Sequence, residues 1–285
     1  MKFRHRLGIA LALTAATAGV VAAQTQAQAA TVPTFDHVVV AVFENHGYSQ
    51  IIGSSSAPYF NSLATGGANF TNYAAITHPS EPNYFAMFSG STQGITDDAC
   101  PPPGAPYNKA NLGSEITAVG RTWGSYNEGL PSQGSTTCGN SAGKYARKHN
   151  PWFSFTNVAA SSGKTFAQWP TDFTTLPTMS WVVPNLCNDM HDCSVGTGDS
   201  WLQSKLGSYA TWAKTHNSLL IVTFDENNGV SGNKIVNIYY GAHVKTGNYG
   251  TAYNPYNNLR TMEDMFGTTH AGNAATATPI TEIWQ

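Results

Sequence analysis

Two short segments far apart in the chain carry the same chemistry. Glu44-Asn45-His46-Gly47 sets a carboxylate beside an amide, and Asp225-Glu226-Asn227-Asn228-Gly229 sets two carboxylates beside two amides. If the fold brings these segments together, three carboxylates share one place. They repel each other unless a cation sits among them. Either motif alone also reads as a solvated Asx-rich turn; their shared layout favours a metal site. A third segment, Thr77-His78-Pro79-Ser80-Glu81-Pro82-Asn83-Tyr84, places Ser80 between two prolines. Each proline fixes its own φ and pushes the residue before it toward extended backbone. Ser80 is therefore either a turn residue in a Pro/Ser/Asn loop or a nucleophile held in place. A fourth, Pro184-Asn185-Leu186-Cys187-Asn188-Asp189-Met190-His191-Asp192-Cys193, packs two Asp, two Asn and a His into ten residues. That density reads as a stapled Asx-rich loop or as pre-ordered binding groups.

The elements that must position these groups are legible around them. Asp36–Phe43 is a β-branched apolar run that stops at Glu44, and Ser218–Phe224 is another that stops at Asp225. Continuous apolar runs of this length suit strands buried on both faces. Thr178–Pro184 runs into Asn185, and Lys234–Tyr240 ends at Gly241. Helical signals fall between the strands, over Ser56–Ala64, over Asp199–His216 with Asp199 or Ser200 as N-cap, and over Asn257–Phe266. Strands alternating with helices predict an α/β fold with a mainly parallel sheet. Functional groups in such sheets gather beyond the carboxyl ends of the strands, which would unite Glu44-Asn45 with Asp225-Glu226.

The N-terminus reads as a secretory signal peptide over residues 1–29: Lys2, Arg4 and Arg6, an apolar run rich in Ala and Thr, then Ala27-Gln28-Ala29. A membrane anchor is the rival reading, and the run is short for one. Residues 30–285 then suit one large exported domain or two small ones; with no internal repeat, long linker or charge block to divide them, they read as a single catalytic domain. Three of the 14 basic residues and none of the 16 acidic ones lie in the leader, leaving 11 against 16 and a net charge of −5. This balance argues against a nucleic-acid partner and against attraction to anionic membranes. A negative protein that handles anions needs a local device, and a metal ion is the usual one. The four cysteines of an exported chain read as two disulfides, with Cys100–Cys138 and Cys187–Cys193 favoured as local pairs. Zinc is the alternative, but no CxxC is present.

Together, the stretches FENHGY, THPSEPNY, PNLCNDMHD and TFDENNG resemble the bacterial phosphoesterase family of secreted acid phosphatases and phospholipases C, within the alkaline phosphatase-like superfamily. Length and motif order look most like small secreted acid phosphatases, some of which act on phosphatidylinositol 3-phosphate. The resemblance spans Phe35 to about Phe266. It implies an α/β/α sandwich and a phosphomonoesterase with a phosphoserine intermediate. It implies that Glu44 and Asn45, with Asp225 and Glu226, bind metal, and that Ser80 is the nucleophile. His191 would protonate the leaving group, and Asn45, His78, Asn185 and Asp189 would contact phosphate. Oxygen ligands of this kind suit one Mg²⁺, Ca²⁺ or Mn²⁺ better than Zn²⁺. A second metal could draw on Asp189, His191, Asp192 and His243, without a recognised spacing.

Gly241–Gly247 departs from the Gly-Pro-x-Val-Lys-Pro-Gly pattern associated with relatives, which leaves His243 open. His37 reads as structural, and His149, His216 and His270 as surface positions. Glu128 follows a further strand-and-turn segment, and Lys144, Arg147 and Lys148 form the densest basic cluster, a solvated face or a contact for a phosphorylated headgroup. Two rivals remain. A phospholipase C would cut diesters; larger family members carry a C-terminal extension, and the end at Gln285 favours a monoesterase. A secreted anion- or metal-binding protein would have no use for a braced nucleophile.

Overall fold

The computed structural model describes Met1 and residues 31–285; the expected leader at residues 1–29, Met1 apart, lies outside the described residues. Its strands are β1 (His37–Phe43), β2 (Ala68–Phe70), β3 (Trp123–Asn127), β4 (Gly163–Thr165), β5 (Met179–Val183), β6 (Ser218–Phe224), β7 (Asn237–Gly241) and β8 (Gly247–Tyr249). The helices are α1 (Tyr48–Ile51), α2 (Pro58–Gly66), α3 (Ser80–Ser89), α4 (Leu112–Ala118), α5 (Val195–Ala213) and α6 (Pro255–Phe266). Together the strands form one sheet in the order β4-β3-β5-β1-β6-β7-β2-β8.

The centre of the sheet is parallel, as the alternating pattern requires. β1 pairs with both β5 and β6 in parallel, and β3 pairs in parallel with β4 and β5. Residues Val38–Phe43 and all seven residues of β6 are buried, which is why these runs carry no polar alternation. The far side departs from the parallel expectation. β7 runs antiparallel to β6, because the segment between Phe224 and Asn237 contains no helix to carry a crossover and folds back as a turn. Lys234 bridges to Ala74 instead of opening this strand.

Helix starts differ from the sequence reading at several places, and two of the differences bear on the argument. The long helix α5 begins at Val195 with Ser194 as N-cap, its side chain accepting the Thr197 amide. Asp199 is buried within that helix and caps another one across space. Its carboxylate accepts the Tyr59 and Phe60 amides at 2.9 Å each, supplying the first turn of α2 with acceptors that Ala57 lacks. The second difference matters more for function. Ser80–Ser89 is a helix and not a loop, and all ten of its residues are buried. Pro79 is the N-cap and Pro82 falls in the first turn, where a missing N–H breaks no intrahelical bond.

Candidate active site

The register of the two central strands sets the site. Phe43 pairs with Phe224, so Glu44 and Asp225 leave the sheet side by side, and the Asp225 amide donates to the Phe43 carbonyl at 2.9 Å. On the other flank, the loop after β5 returns over β1, where the Glu44 amide donates to the Asp189 carbonyl at 2.8 Å. Asn45 then turns with φ of 56°, a left-handed conformation that asparagine tolerates better than most residues. That turn lets its amide donate to Asp225 Oδ1 at 3.1 Å, while its side chain lies 3.3 Å from Glu44 Oε2. Asp225 Oδ1 also accepts the Glu226 amide at 2.6 Å.

Helix α3 brings Ser80 into this cluster. Its hydroxyl lies 3.1 Å from Glu44 Oε2 and 3.2 Å from Glu226 Oε1. The residues three and four further on share its helix face, and both reach the site. Tyr84 donates to Glu44 Oε1. Asn83 fixes the approach to the helix: its Oδ1 accepts the Ile76 and Thr77 amides at 3.0 Å, and its Nδ2 donates to Thr77 and Pro79 carbonyls. From outside the helix, Asp98 Oδ1 accepts the Glu81 amide at 2.9 Å. His78 is half exposed, with Nδ1 2.6 Å from Glu226 Oε2.

His149 was expected at the surface and is instead 1 % exposed. Its Nε2 lies 3.2 Å from Glu44 Oε1 and its Nδ1 3.4 Å from Asp189 Oδ2, and its ring stacks on Tyr84. Glu44, His149 and Asp189 offer ligand atoms within 4.8 Å of one another, an arrangement able to hold a metal ion. The burial has a legible cause in retrospect. His149-Asn150 leads into Pro151-Trp152-Phe153, an apolar turn that packs into the core beside Phe88 and Trp181.

The loop 184–193 is built as a staple. Cys187 pairs with Cys193, and Cys100 with Cys138, as local pairing predicted. Asn185 Oδ1 accepts the amides of Cys187 and Asn188, so its carbonyl end serves the loop itself. Glu128, at the end of β3, accepts the Asn185 amide at 3.0 Å and the Asn188 side chain at 2.8 Å; it ties down the loop. Asp189 is fully buried and its Oδ1 accepts the His191 amide at 2.8 Å. His191 is partly exposed, 2.6 Å from Asp192 through Nδ1, with its ring 6.0 Å from that of His149. His243 lies at the opposite end of the sheet, 3.1 Å from Asn217 Oδ1, the residue before β6. It is not brought to the site.

The electrostatics express the crowding. Burial, then the charges of Asp225 and Asp189, push the Glu44 carboxyl well above its ordinary range. Burial likewise raises Asp225 and Asp189, and burial with Asp225 pushes Glu226 to about 8. Burial, then Lys148, drives His149 down and keeps its imidazole neutral. Lys148 moves the other way: burial alone would lower it, but the Asp98 hydrogen bond and the surrounding carboxylates raise it. Asp225 Oδ2 and Asp189 Oδ2 are buried without a hydrogen-bond partner. Oxygens of this kind, in a cluster of four acids and a neutral imidazole, fit a divalent cation.

A mainly parallel sheet flanked by helices, with carboxylates at its central strand ends around a buried serine, is the α/β/α sandwich that the resemblance to the alkaline phosphatase-like fold implies. The comparisons with known proteins agree. The Phosphoesterase family model matches residues 54–269, so the chain belongs to the phosphoesterase family and is a phosphoric ester hydrolase. It is 49 % identical over 258 residues to the phosphatidylinositol-3-phosphatase of Mycobacterium tuberculosis, covering 90 % of this chain and 85 % of the relative. It is 30 % identical over 278 residues to a probable acid phosphatase of Kluyveromyces lactis, covering 87 % of this chain and 65 % of that protein. An alkaline phosphatase superfamily protein from Vibrio parahaemolyticus has the same fold at 12 % identity, with a TM-score of 0.61 over 88 % of this chain and 72 % of that one.

Proposed function

We propose that the protein is an exported, metal-dependent phosphomonoesterase that passes the phosphoryl group of its substrate to Ser80 and then to water. The observation that carries this reading is Ser80 Oγ, buried at the start of α3 and lying 3.1 Å from Glu44 and 3.2 Å from Glu226. A hydroxyl so placed has no packing role that alanine would not fill.

Glu44, Asn45, Asp225 and Glu226 would hold one divalent cation, with Mg²⁺, Ca²⁺ or Mn²⁺ favoured by the oxygen donors. Glu44 is shared with His149 and Asp189, whose burial suits a ligand or its support better than a substrate contact. When bound, the cation supplies charge neutralisation for phosphoryl oxygens and lowers the pKa of a neighbouring hydroxyl.

The chain's own residues do the rest. Glu44 and Glu226 orient the Ser80 hydroxyl, and Glu226 takes its single proton as Oγ bonds to phosphorus. The ester P–O bond breaks, and His191 gives a proton to the departing alkoxide, with Asp192 holding its Nδ1 side. Water then attacks phosphorus and gives a proton to His191 while the P–Oγ bond breaks; Glu226 returns its proton to Oγ, releasing phosphate and restoring the hydroxyl. Asn45, His78 and Asn185 would donate to phosphoryl oxygens as charge shifts in the transition state. Asn83 and Pro79 fix the line of attack, since small misplacements of a nucleophile are costly.

The substrate we favour is a phosphate monoester on an inositol headgroup, in line with the name of the mycobacterial relative. The phospholipase C reading is kept as the diester arm of the test. Export with removal of residues 1–29, leaving one catalytic domain over 30–285, accords with the two disulfides. The test compares p-nitrophenyl phosphate with its bis-ester and with short-chain phosphatidylinositol 3-phosphate, with and without chelator, for the parent and Ser80→Ala. Monoester turnover that chelation abolishes and Ser80→Ala loses is expected. Ser80→Ala activity within tenfold of the parent excludes the serine mechanism, and full activity after exhaustive chelation excludes the metal.

A further inference from the structure

The basic cluster singled out in the sequence is not a solvated face at Lys148. Its side chain is 17 % exposed, and Nζ lies 2.8 Å from Asp98 Oδ2. The other oxygen of Asp98 accepts the Glu81 amide, so the ammonium stands two hydrogen bonds from the first turn of α3, next to Ser80. The next residue in the chain is His149, whose imidazole touches both Glu44 and Asp189. Lys148 is therefore anchored to the site from two sides.

The surroundings hold it there. The Cys100–Cys138 disulfide ties the segment after Asp98 to the segment before Arg147, and the Arg147 amide donates to the Cys138 carbonyl at 3.0 Å. Arg147 spends its guanidinium on the Thr136 and Phe153 carbonyls, and Asn150 donates to the Ala146 carbonyl. Asp98 takes one of the three ammonium N–H groups, and among the described residues the other two have no protein acceptor. A lysine held this way in a net-acidic protein, beside a nucleophile that must meet an anion, is placed to meet phosphate.

We propose that Lys148 contacts a non-bridging phosphoryl oxygen of the substrate, and that it gives the site its preference for dianionic monoesters over monoanionic diesters. Asp98 is its positioning residue, joining the ammonium to the helix that carries Ser80. This rests on the phosphomonoesterase reading. The charge logic is direct. A monoester brings two negative charges to the ammonium and a diester brings one, so removing the cation costs the monoester more. A purely structural ion pair would weaken both reactions alike.

The test measures kcat/KM for p-nitrophenyl phosphate and bis-p-nitrophenyl phosphate, with inhibition by inorganic phosphate, in the parent, Lys148→Gln, Asp98→Asn and Ser80→Ala. For Lys148→Gln the expected loss on the monoester is about 30-fold, the effect of one charge-assisted hydrogen bond. The loss on the diester is under about threefold, and phosphate inhibits more weakly. Asp98→Asn keeps an acceptor for Glu81 but frees the ammonium; it moves the same ratio by a smaller factor and carries the test if Lys148→Gln does not fold. Equal losses on both substrates, or unchanged ratios and unchanged phosphate inhibition in the folded variants, overturn the assignment. Ser80→Ala separates the two failures: if it is inactive while the Lys148 and Asp98 variants keep the parental ratio, only this inference falls.

Discussion

Removing the Glu128 carboxylate should cost turnover far more than stability. Oε2 of Glu128 accepts the Asn185 amide and the Asn188 side chain, and these two bonds pin the start of the loop that delivers Asp189 and His191. Charge-assisted bonds contribute about 1.5–3 kcal/mol each when sheltered. All three residues are half-buried, so water replaces part of what alanine removes. A total of about 1–3 kcal/mol is reasonable, which for a chain of this size lowers Tm by about 3–8 °C. The rate responds to geometry instead. Asp189 reaches Glu44 through one backbone bond and His191 through its carboxylate, so a loop displaced by an ångström carries both away, and such shifts cost about 100-fold. The assay pairs thermal melts with kcat on p-nitrophenyl phosphate at 25 °C, where the variant is still folded. Glu128→Ala should lose at least tenfold in kcat, and Glu128→Gln, which keeps an acceptor without the charge, should fall between it and the parent. A Glu128→Ala enzyme with lowered Tm but kcat within twofold of the parent would refute the reasoning, since the tether would then serve the fold alone.

Two further outcomes follow from other parts of the molecule. Replacing Cys187 and Cys193 together should cost about 2 kcal/mol, because the ring they close is short. It should lower kcat by more than tenfold, and equal activity in the doubly substituted enzyme would show that the hydrogen bonds suffice to hold His191. Remote from the site, the buried carboxyls of Glu263 and Glu115 face each other, with Ala271, Thr269, His270 and Asp264 around them. Burial, opposed by the Ala271 amide and helped by Glu115, pushes Glu263 from 4.5 to about 9. A raised folded-state pKa means that the folded protein holds the proton longer than the unfolded chain. The stabilisation is complete below about pH 4.5 and is lost as pH rises toward 9. Glu263→Gln, permanently neutral, should flatten the fall of Tm between pH 5 and 9; parallel Tm profiles for the two proteins would contradict it.

What could be read beforehand followed burial. β6 was legible to the residue and β1 to within one, because only strands covered on both faces carry such runs, and their carboxylate ends followed from the runs stopping. The antiparallel β7 was hidden, since an apolar run has no direction. Residues that act through contact across the fold were hidden too. Tyr84 and Asn83 follow Ser80 at helical spacing, but two prolines made the stretch read as a loop, and the spacing meant nothing without the helix. His149 sits among Lys148, Arg147 and Asn150, a polar string whose burial depends on what α3 and the loop 184–193 bring over it. Asp199 looked like the start of its own helix because the residue type suits a cap; it is a cap, but for α2.

The pairing of Phe43 with Phe224 has a consequence beyond placing two carboxylates. β1 and β6 are neighbours in the middle of the sheet, and central strands open only when most of the molecule opens. Glu44 and Asp225 are separated by 181 positions along the chain, yet the strands that carry them are paired to their last residues, so loosening of the periphery does not part them. The acid pair thus keeps the lifetime of the whole native state. On the proposed cation reading, heat or denaturant should therefore abolish cation affinity in the same cooperative step that melts the sheet.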